Sequence, residues 1–124
     1  MMTKVMIVDD SRTSRRILRE ILEECGMEVV CEAQNGEEGY LMFKELKPDL
    51  VTMDITMPKM DGIECLKLIR HEDENARVVM ITAAGQKDKM MEAIKNGASE
   101  FLTKPFDKES IKKVMEKLQN EKSC

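Results

Sequence analysis

The sequence predicts an α/β fold in which a five-stranded parallel sheet carries five helices on its two faces. Short apolar runs alternate along the chain with segments of helical period, and no linker, repeat or low-complexity stretch interrupts them. Such alternation is typical of parallel strands that are joined by helical crossovers. The five predicted strands are Lys4–Val8, Glu28–Ala33, Leu50–Met53, Arg77–Thr82 and Ser99–Thr103.

Most of these runs are rich in Val, Ile, Leu and Met and do not alternate with polar residues. A continuous apolar run is expected where both faces of a strand are covered by helices. We therefore predict an open sheet with the flavodoxin-like strand order 2-1-3-4-5.

The helices are predicted from the spacing of apolar residues and from the residues that end them. The first ends at Gly26, and the second begins at Gly36 and is stopped by Pro48. The third and fourth, over Ile63–His71 and Lys87–Asn96, have broader apolar faces. The apolar positions are Ile17, Leu18, Ile21, Leu22 and Cys25 in the first helix, Tyr40, Phe43 and Leu46 in the second, and Ile111, Val114, Met115 and Leu118 in the last.

Length and composition predict one folded domain over residues 1–124. Hydrophobic residues make up 42% of the chain and charged residues 35%, which excludes the composition of a disordered protein. The longest apolar runs, such as Val5–Val8, are too short for a membrane span or a signal sequence. We therefore expect a cytoplasmic protein.

The charge balance argues against a nucleic-acid partner. The net charge is −4, from 24 acidic and 20 basic residues, whereas non-specific nucleic-acid binding needs a concentrated basic face. Arg12, Arg15 and Arg16 lie close together, but we interpret them as solvated charges on a helix.

The cysteines do not form a metal-binding pattern. No two of them have the C-x-x-C spacing, and the single histidine, His71, is distant from all of them in the sequence. Zinc is therefore not expected, and reduced structural thiols are predicted. The four are Cys25, Cys31, Cys65 and Cys124.

Three carboxylates follow two strands that the predicted order places side by side. Asp9 and Asp10 end the first strand, and Asp54 ends the third in "LVTMDITMP". The switch point of an open α/β sheet lies between those strands, beyond their carboxyl ends. A helix cap by Asp9, Asp10 or Ser11 would account for only one of these residues. Clustered carboxylates repel and need protons or a cation, and hard oxygen ligands suit Mg²⁺.

Two further polar residues end the remaining strands at the same edge. Thr82 closes the fourth strand in "VVMITAAGQ", and Lys104 closes the fifth in "EFLTKPF". A carboxylate nucleophile, a divalent cation, a fixed ammonium and a hydroxyl are what phosphoryl transfer requires. The sequence therefore predicts phosphoryl chemistry at this edge.

These five spaced motifs resemble the receiver domain of two-component response regulators. The residues that carry the likeness are Asp9-Asp10, Asp54, Thr82 and Lys104-Pro105, together with "MDITMPKMDG" over Met53–Gly62, which is similar to the family's phosphoacceptor loop. The resemblance covers essentially the whole chain. Within the family, the chain is most similar to stand-alone chemotaxis regulators.

The resemblance implies a role for each site residue. Asp54 would accept the phosphoryl group, and Asp10 and Asp54 would bind Mg²⁺ together with the backbone carbonyl of Thr56. Asp9 would act mainly through a bound water. Lys104 would pair with the phosphoryl group and help to hold Asp54 before transfer.

The resemblance also implies a conformational switch. Thr82 would donate a hydrogen bond to a phosphoryl oxygen, and Phe101, the switch aromatic, would rotate into the space that Thr82 leaves. An ordinary core phenylalanine is the alternative reading of Phe101. A cis peptide is expected at Lys104-Pro105, and Gly62 is expected to form a tight turn in which positive φ would cost little.

Three positions concern the timing of the phosphorylation signal rather than the assignment of the chain to this family. Thr56 and Ala84, two residues after Asp54 and Thr82, occupy positions that in this family influence hydrolysis of the acyl phosphate. Ala84 offers no polar group to orient the attacking water, so the sequence does not assign a lifetime to the acyl phosphate. Phe101 in place of tyrosine removes a hydroxyl that could tune partner contact.

We expect a monomeric phosphoacceptor that assists its own phosphorylation and dephosphorylation and is otherwise not an enzyme. A histidine kinase would be the phosphodonor. An output protein such as the flagellar motor switch would bind the face formed by the fourth helix, fifth strand and fifth helix. No nucleic-acid or membrane partner is expected, since the chain ends shortly after the last helix and leaves no room for a DNA-binding domain.

Other readings stay open. The chain could be a phosphorelay intermediate or the receiver part of a longer transcriptional regulator. Aspartyl-phosphate phosphatases also use a strand-end aspartate, but theirs is followed two residues later by a second aspartate, where this chain has Thr56. A flavin module would need a phosphate-binding loop and more aromatic residues than this sequence offers.

Overall fold

The structure, a computed structural model, describes residues 2–83 and 85–123. One sheet contains all five strands in the order β2-β1-β3-β4-β5, and every neighbouring pair is parallel. The strands are β1 (Lys4–Val8), β2 (Glu28–Ala33), β3 (Leu50–Asp54), β4 (Arg77–Thr82) and β5 (Glu100–Thr103). The predicted fold class and strand order are therefore confirmed, with shifts of one residue at the end of β3 and the start of β5.

Five helices connect or follow the strands, and local side chains start four of them. The backbone N–H groups of Ser14, Glu38, Glu64 and Ser110 donate to the side chains of Ser11, Asn35, Asp61 and Asp107, respectively. Such caps satisfy amides that have no partner within the helix. The helices are α1 (Arg12–Glu24), α2 (Gly36–Leu46), α3 (Gly62–Glu72), α4 (Lys87–Lys95) and α5 (Lys108–Ser123).

Two apolar layers lie on the two faces of the sheet, and β1 contributes to both. Met6 and Val8 pack in the layer that includes residues of α2, α3 and α4. Val5 and Ile7 pack in the other layer, with residues of α1 and α5. All four side chains are fully buried, as expected for a strand covered on both faces.

Two residues on the predicted apolar faces of the helices are exposed to solvent. Ile17 is 45% exposed and lines an open groove with Pro105 and Phe106, because α5 covers only the stripe of α1 that contains Leu18 and Leu22. Leu46, the last residue of α2, is exposed as well.

Two further observations concern the cysteines and the helices of the described residues. Cys25, Cys31 and Cys65 are free thiols, while Cys124 lies outside the described residues. Among residues 2–83 and 85–123, none of the helices has both the length and the apolar character needed to cross a bilayer.

Candidate functional site

The sheet brings Asp9, Asp10 and Asp54 together at its carboxyl edge. β1 and β3 are neighbours, and Val8 lies opposite Met53, so both strands end at the same level. One carboxylate oxygen from each aspartate lies within 4.8 Å of the others. Asp9 and Asp54 are buried, whereas Asp10 is exposed.

Lys104 places one ammonium between two of these carboxylates. Its Nζ lies 3.2 Å from Asp9 Oδ2 and 3.2 Å from Asp54 Oδ2. Burial, followed by the negative charge of Asp9, raises the pKa of Asp54 to about 6, although Lys104 opposes that shift. Burial alone would lower the pKa of Lys104, but the carboxylates of Asp54 and Asp9 outweigh it and the pKa is raised.

Asp9 keeps one oxygen available for a further ligand. Its Oδ1 accepts a hydrogen bond of 2.8 Å from the N–H of Ser11. Its Oδ2 is buried and, within the part of the chain that the structure describes, accepts no hydrogen bond of good geometry; it has only the ion-pair approach of Lys104. A buried oxygen with unused lone pairs beside two more carboxylates fits a hard divalent cation such as Mg²⁺.

The cap of α1 is Ser11 rather than an aspartate. The N–H of Ser14 donates to Ser11 Oγ at 3.2 Å, so neither Asp9 nor Asp10 is needed as the side-chain cap. The capping alternative therefore does not account for the paired aspartates.

Arg15 braces the loop that holds Asp9, and the prediction that it is a solvated charge is wrong. Its side chain is only 11% exposed and donates from Nη1 to the backbone carbonyl of Asp9 at 2.7 Å. Its Nε donates to Glu32 on β2, whose second carboxylate oxygen accepts from Arg19. Sequence reasoning missed this network because Glu32 is brought to α1 only by the crossover.

Gly62 fixes the loop after β3 for a reason other than the predicted one. Its φ is not positive; positive φ values occur instead at Gly26, Gly85 and Gly97 among the described glycines. A Cβ atom on Gly62 would lie 2.0 Å from the carbonyl oxygen of Asp54. This distance is too short for any residue with a side chain. The N–H of Gly62 also donates to the carbonyl of Ile55 at 2.7 Å, which closes the loop against the end of β3.

Thr82 and Lys104 reach the same edge from β4 and β5. Thr82 is buried at the end of β4 and lies opposite Thr103, and the N–H of Lys104 donates to its carbonyl at 2.7 Å. The Lys104-Pro105 peptide is cis, as predicted. Ala84, which the sequence singled out for timing, lies outside the described residues.

Gln86 is a polar residue of this edge that sequence reasoning did not assign. Its Nε2 donates to Thr56 Oγ1 at 2.9 Å, and its Oε1 accepts from the N–H of Ala83 at 3.0 Å. It therefore joins the loop after β3 to the loop after β4. The only signal in the sequence is a glutamine four positions after Thr82.

Phe101 lies at the surface of β5, and the alternative of an ordinary core phenylalanine is wrong. Its side chain is 39% exposed, whereas the next residue, Leu102, is buried. Met91 and Ile94 on α4 are exposed large apolar side chains as well. The chain thus presents apolar surface on α4 and β5.

An open parallel sheet whose polar residues converge at its switch point belongs to the class of α/β proteins that place their chemistry outside the carboxyl ends of the strands. Residues 5–116 match the family model described as "Response regulator receiver domain". The chain therefore belongs to the response regulator receiver family, as its motifs suggested.

Its relatives include chemotaxis regulators along nearly their whole length. The chain is 44% identical over 116 residues to chemotaxis protein CheY of Listeria monocytogenes, covering 94% of this chain and 98% of that protein. It is 50% identical over 111 residues to CheY of Halobacterium salinarum, covering 90% and 92%. Among solved structures, the CheX–CheY–BeF3–Mg²⁺ complex from Borrelia burgdorferi matches with a TM-score of 0.84 and 40% identity, covering 88% of this chain and 83% of that one.

Proposed function

We propose that the protein accepts a phosphoryl group on Asp54 from a histidine kinase, in a Mg²⁺-dependent reaction, and thereby switches a protein-binding face. One observation carries the proposal most directly. The Asp54 carboxylate is buried where three strands end, beside Asp9 and Asp10 and 3.2 Å from the Lys104 ammonium. A buried carboxylate with this set of neighbours has the surroundings that phosphoryl transfer needs.

Asp54 acts as the nucleophile. An oxygen of its carboxylate attacks the phosphorus of a phosphohistidine, and the P–N bond breaks with its electron pair passing to the imidazole nitrogen, which takes up a proton. The product is an acyl phosphate on Asp54. A pKa of about 6 leaves this carboxylate mostly ionised at neutral pH, and a nearby cation increases that fraction. Lys104 then exchanges the Asp54 oxygen for a phosphoryl oxygen.

The metal ligands are proposed from the cluster of three carboxylates together with the likeness to the receiver family. Asp10 and Asp54 would bind Mg²⁺ directly with the backbone carbonyl of Thr56, and Asp9 would bind through a water molecule. The bound ion supplies charge neutralisation to the phosphoryl oxygens during transfer. The Borrelia CheY relative, solved as a complex with BeF3 and Mg²⁺, supports this assignment.

The switch links the phosphoryl group to the exposed surface. We propose that the Thr82 hydroxyl moves to hydrogen-bond a phosphoryl oxygen and that Phe101, now partly exposed, rotates inward behind it. The binding face then changes its conformation as one unit. It consists of the apolar surface of α4, with Met91 and Ile94, and of the neighbouring part of β5 and α5. The similarity to CheY proteins supports chemotaxis as the process and a motor-switch protein as the output partner.

The first experiment follows the backbone amides by NMR while Mg²⁺ and beryllofluoride are added. Beryllofluoride mimics a phosphoryl group on an aspartate, so we expect Mg²⁺-dependent shifts at Thr82, Phe101 and α5. The variant Asp54→Asn is the control and should show none of these shifts. Binding confined to the crevice, with no response at Phe101 or α5, would contradict the switch.

A second experiment identifies the class of partner. The beryllofluoride-activated protein is compared with Asp54→Asn for binding to a flagellar motor-switch protein and to a histidine phosphotransfer protein. Activation-dependent binding to the motor protein supports chemotaxis. Phosphate passed from Asp54 to a histidine of the transfer protein, without motor binding, supports a relay instead.

A further inference from the structure

The side chain of Gln86 connects the two loops that flank the candidate phosphoryl site. Its amide donates to Thr56, two residues after Asp54, and its carbonyl oxygen accepts from the N–H of Ala83, the residue after Thr82. Both bonds have ordinary lengths, 2.9 and 3.0 Å. One carboxamide thus uses both its donor and its acceptor to hold the loops after β3 and β4 at a fixed separation.

This arrangement is not needed to start α4. Gln86 precedes the helix, but its side chain makes no capping hydrogen bond; its backbone carbonyl accepts the N–H of Met90 instead. The positive φ of Gly85, 88°, turns the chain just before Gln86. The carboxamide therefore serves the contact between the loops rather than the helix.

The Gln86 bonds involve groups next to those that must move. In the proposed switch, Thr82 moves toward a phosphoryl group on Asp54, and Ala83, the next residue of the chain, moves with it. Before phosphorylation, the N–H of Ala83 is already satisfied by Gln86 Oε1. A phosphoryl group brings three strong acceptor oxygens to that edge and competes for the same donor.

We propose that Gln86 is a positioning residue that holds the unphosphorylated arrangement of these loops and opposes the phosphorylated one. This inference rests on the proposed function and adds a specific restraint to it. Removing the carboxamide weakens only the resting state, so phosphoryl mimics bind more tightly. A partly exposed hydrogen bond of this kind corresponds to a change of about 3- to 10-fold in an equilibrium constant.

The test measures beryllofluoride affinity at saturating Mg²⁺ by NMR titration of the full chain. Gln86→Met, which keeps the length of the side chain but not its polar atoms, should bind about 3- to 10-fold more tightly than wild type. Thr56→Val, which removes the hydroxyl that accepts from Gln86, should change affinity in the same direction. The double variant of Gln86→Met and Thr56→Val should gain less than the two single gains combined. Gln34→Met, which removes an exposed carboxamide at the end of β2, is the matched control and should leave affinity unchanged.

Amide exchange gives a second readout that needs no phosphoryl mimic. In the resting protein, the Ala83 amide should exchange faster in Gln86→Met than in wild type, while amides of β1 stay the same. Equal or weaker beryllofluoride affinity in Gln86→Met, or unchanged exchange at Ala83, would overturn the inference. Failure of the wild type to bind beryllofluoride would instead refute the proposed function, which the Ala83 exchange result distinguishes.

Discussion

Gly62 lies against the backbone of Asp54 so closely that the carbonyl oxygen of Asp54 occupies the place of a side chain. An added Cβ would stand 2.0 Å from that oxygen and 2.9 Å from the Cα of Ile55. The atoms in the way belong to backbone at the end of β3, which cannot rotate aside as a flexible side chain can. The start of α3 therefore sets the position of the segment that presents Asp54 and Thr56.

We predict that Gly62→Ala lowers both stability and metal affinity. The backbone must shift to admit the methyl group, at a cost of about 1–3 kcal/mol in the free energy of unfolding. The same shift displaces the Thr56 carbonyl, so Mg²⁺ affinity should also fall. Chemical denaturation and a Mg²⁺ titration measure the two effects.

The matched control for this variant is Gly26→Ala. Gly26 has a φ of +82° and no atom near its missing Cβ, so alanine there strains the backbone at the end of α1 without touching the crevice. Gly26→Ala should destabilise the protein and leave Mg²⁺ affinity unchanged. Equal loss of affinity in both variants would show that metal binding merely follows overall stability.

The raised pKa of Asp54 predicts that its charge destabilises the metal-free protein. The pKa is about 6 in the folded state against 3.8 in the unfolded one, so the folded state binds more protons between these values. The stability that this carboxyl group contributes is therefore fully present below pH 3.8 and is lost as the pH rises through about 6. Asp54→Asn removes the effect and should raise the free energy of unfolding at neutral pH by about 3 kcal/mol.

The sign of this stability difference is tested by chemical denaturation of wild type and Asp54→Asn. Both proteins are denatured in the presence of a chelator and across that pH range. The difference between the two proteins should be small near pH 4, grow as the pH rises from 4 to about 6, and level off above that. Saturating Mg²⁺ should reduce it, because the ion binds and stabilises only the folded wild type strongly. A difference that does not depend on pH would show that the Asp54 charge is not its source.

Lys104→Met should destabilise the metal-free protein yet strengthen Mg²⁺ binding. Without the ammonium, Asp9 and Asp54 face each other uncompensated, which should lower the free energy of unfolding by about 1–3 kcal/mol because Lys104 is only partly buried. The vacated position no longer repels a cation, so Mg²⁺ affinity should rise about 3- to 10-fold. Denaturation with and without Mg²⁺ and a calorimetric titration measure both changes.

A neighbouring lysine provides the comparison. Lys108 pairs with Glu24 at the surface, where both side chains are about half exposed. Lys108→Met should change neither stability nor Mg²⁺ affinity appreciably, since exposed ion pairs contribute little. Weaker Mg²⁺ binding in Lys104→Met would mean that the lysine organises the carboxylates rather than competing with the metal.

Arg15→Lys should loosen the loop that presents Asp9. Lysine cannot donate both to the Asp9 carbonyl and to Glu32 in the geometry of a guanidinium, so a loss of about 1–2 kcal/mol in stability is expected. Mg²⁺ affinity should fall with it, as measured by titration. Arg16→Lys, one residue along at a side chain that is 83% exposed, should behave as wild type. The same result for both variants would contradict the bracing role of Arg15.

Sequence patterns were sufficient for the central strands β1, β3 and β4 because these strands are buried on both faces. Unbroken apolar runs such as Val5–Val8 have no other good explanation, and the strand order then brings Asp9, Asp10 and Asp54 together. Strand ends in a parallel sheet share one edge, so residues remote in sequence could be assigned to one site without any side-chain information.

Details that depend on contacts between elements could not be read in this way. The periodicity of α1 does not tell which of Arg15 and Arg16 meets Glu32, because the crossing of α1 over β2 decides it. For the same reason the periodicity groups Ile17 with the apolar face of the first helix, although α5 leaves it uncovered. A glycine at position 62 was explained by a positive φ. The structure shows instead that another backbone segment lies too close to admit a side chain, and no local sequence pattern encodes this contact.

The shared ammonium of Lys104 leaves the crevice with an unmatched electrical charge. Three carboxylates against one ammonium fall short by two positive charges at neutral pH, which is what a single divalent ion supplies. A monovalent cation would meet only half of this deficit, so charge count favours Mg²⁺ without a closed cage of ligands. A phosphoryl group brings close to two negative charges but uses up the charge of the Asp54 carboxylate, so the crevice gains about one negative charge and part of the deficit returns. The uncompensated negative charge attracts the hydrogen-bond donors of the surrounding loops toward the phosphoryl group. This attraction is the force that would move the loops.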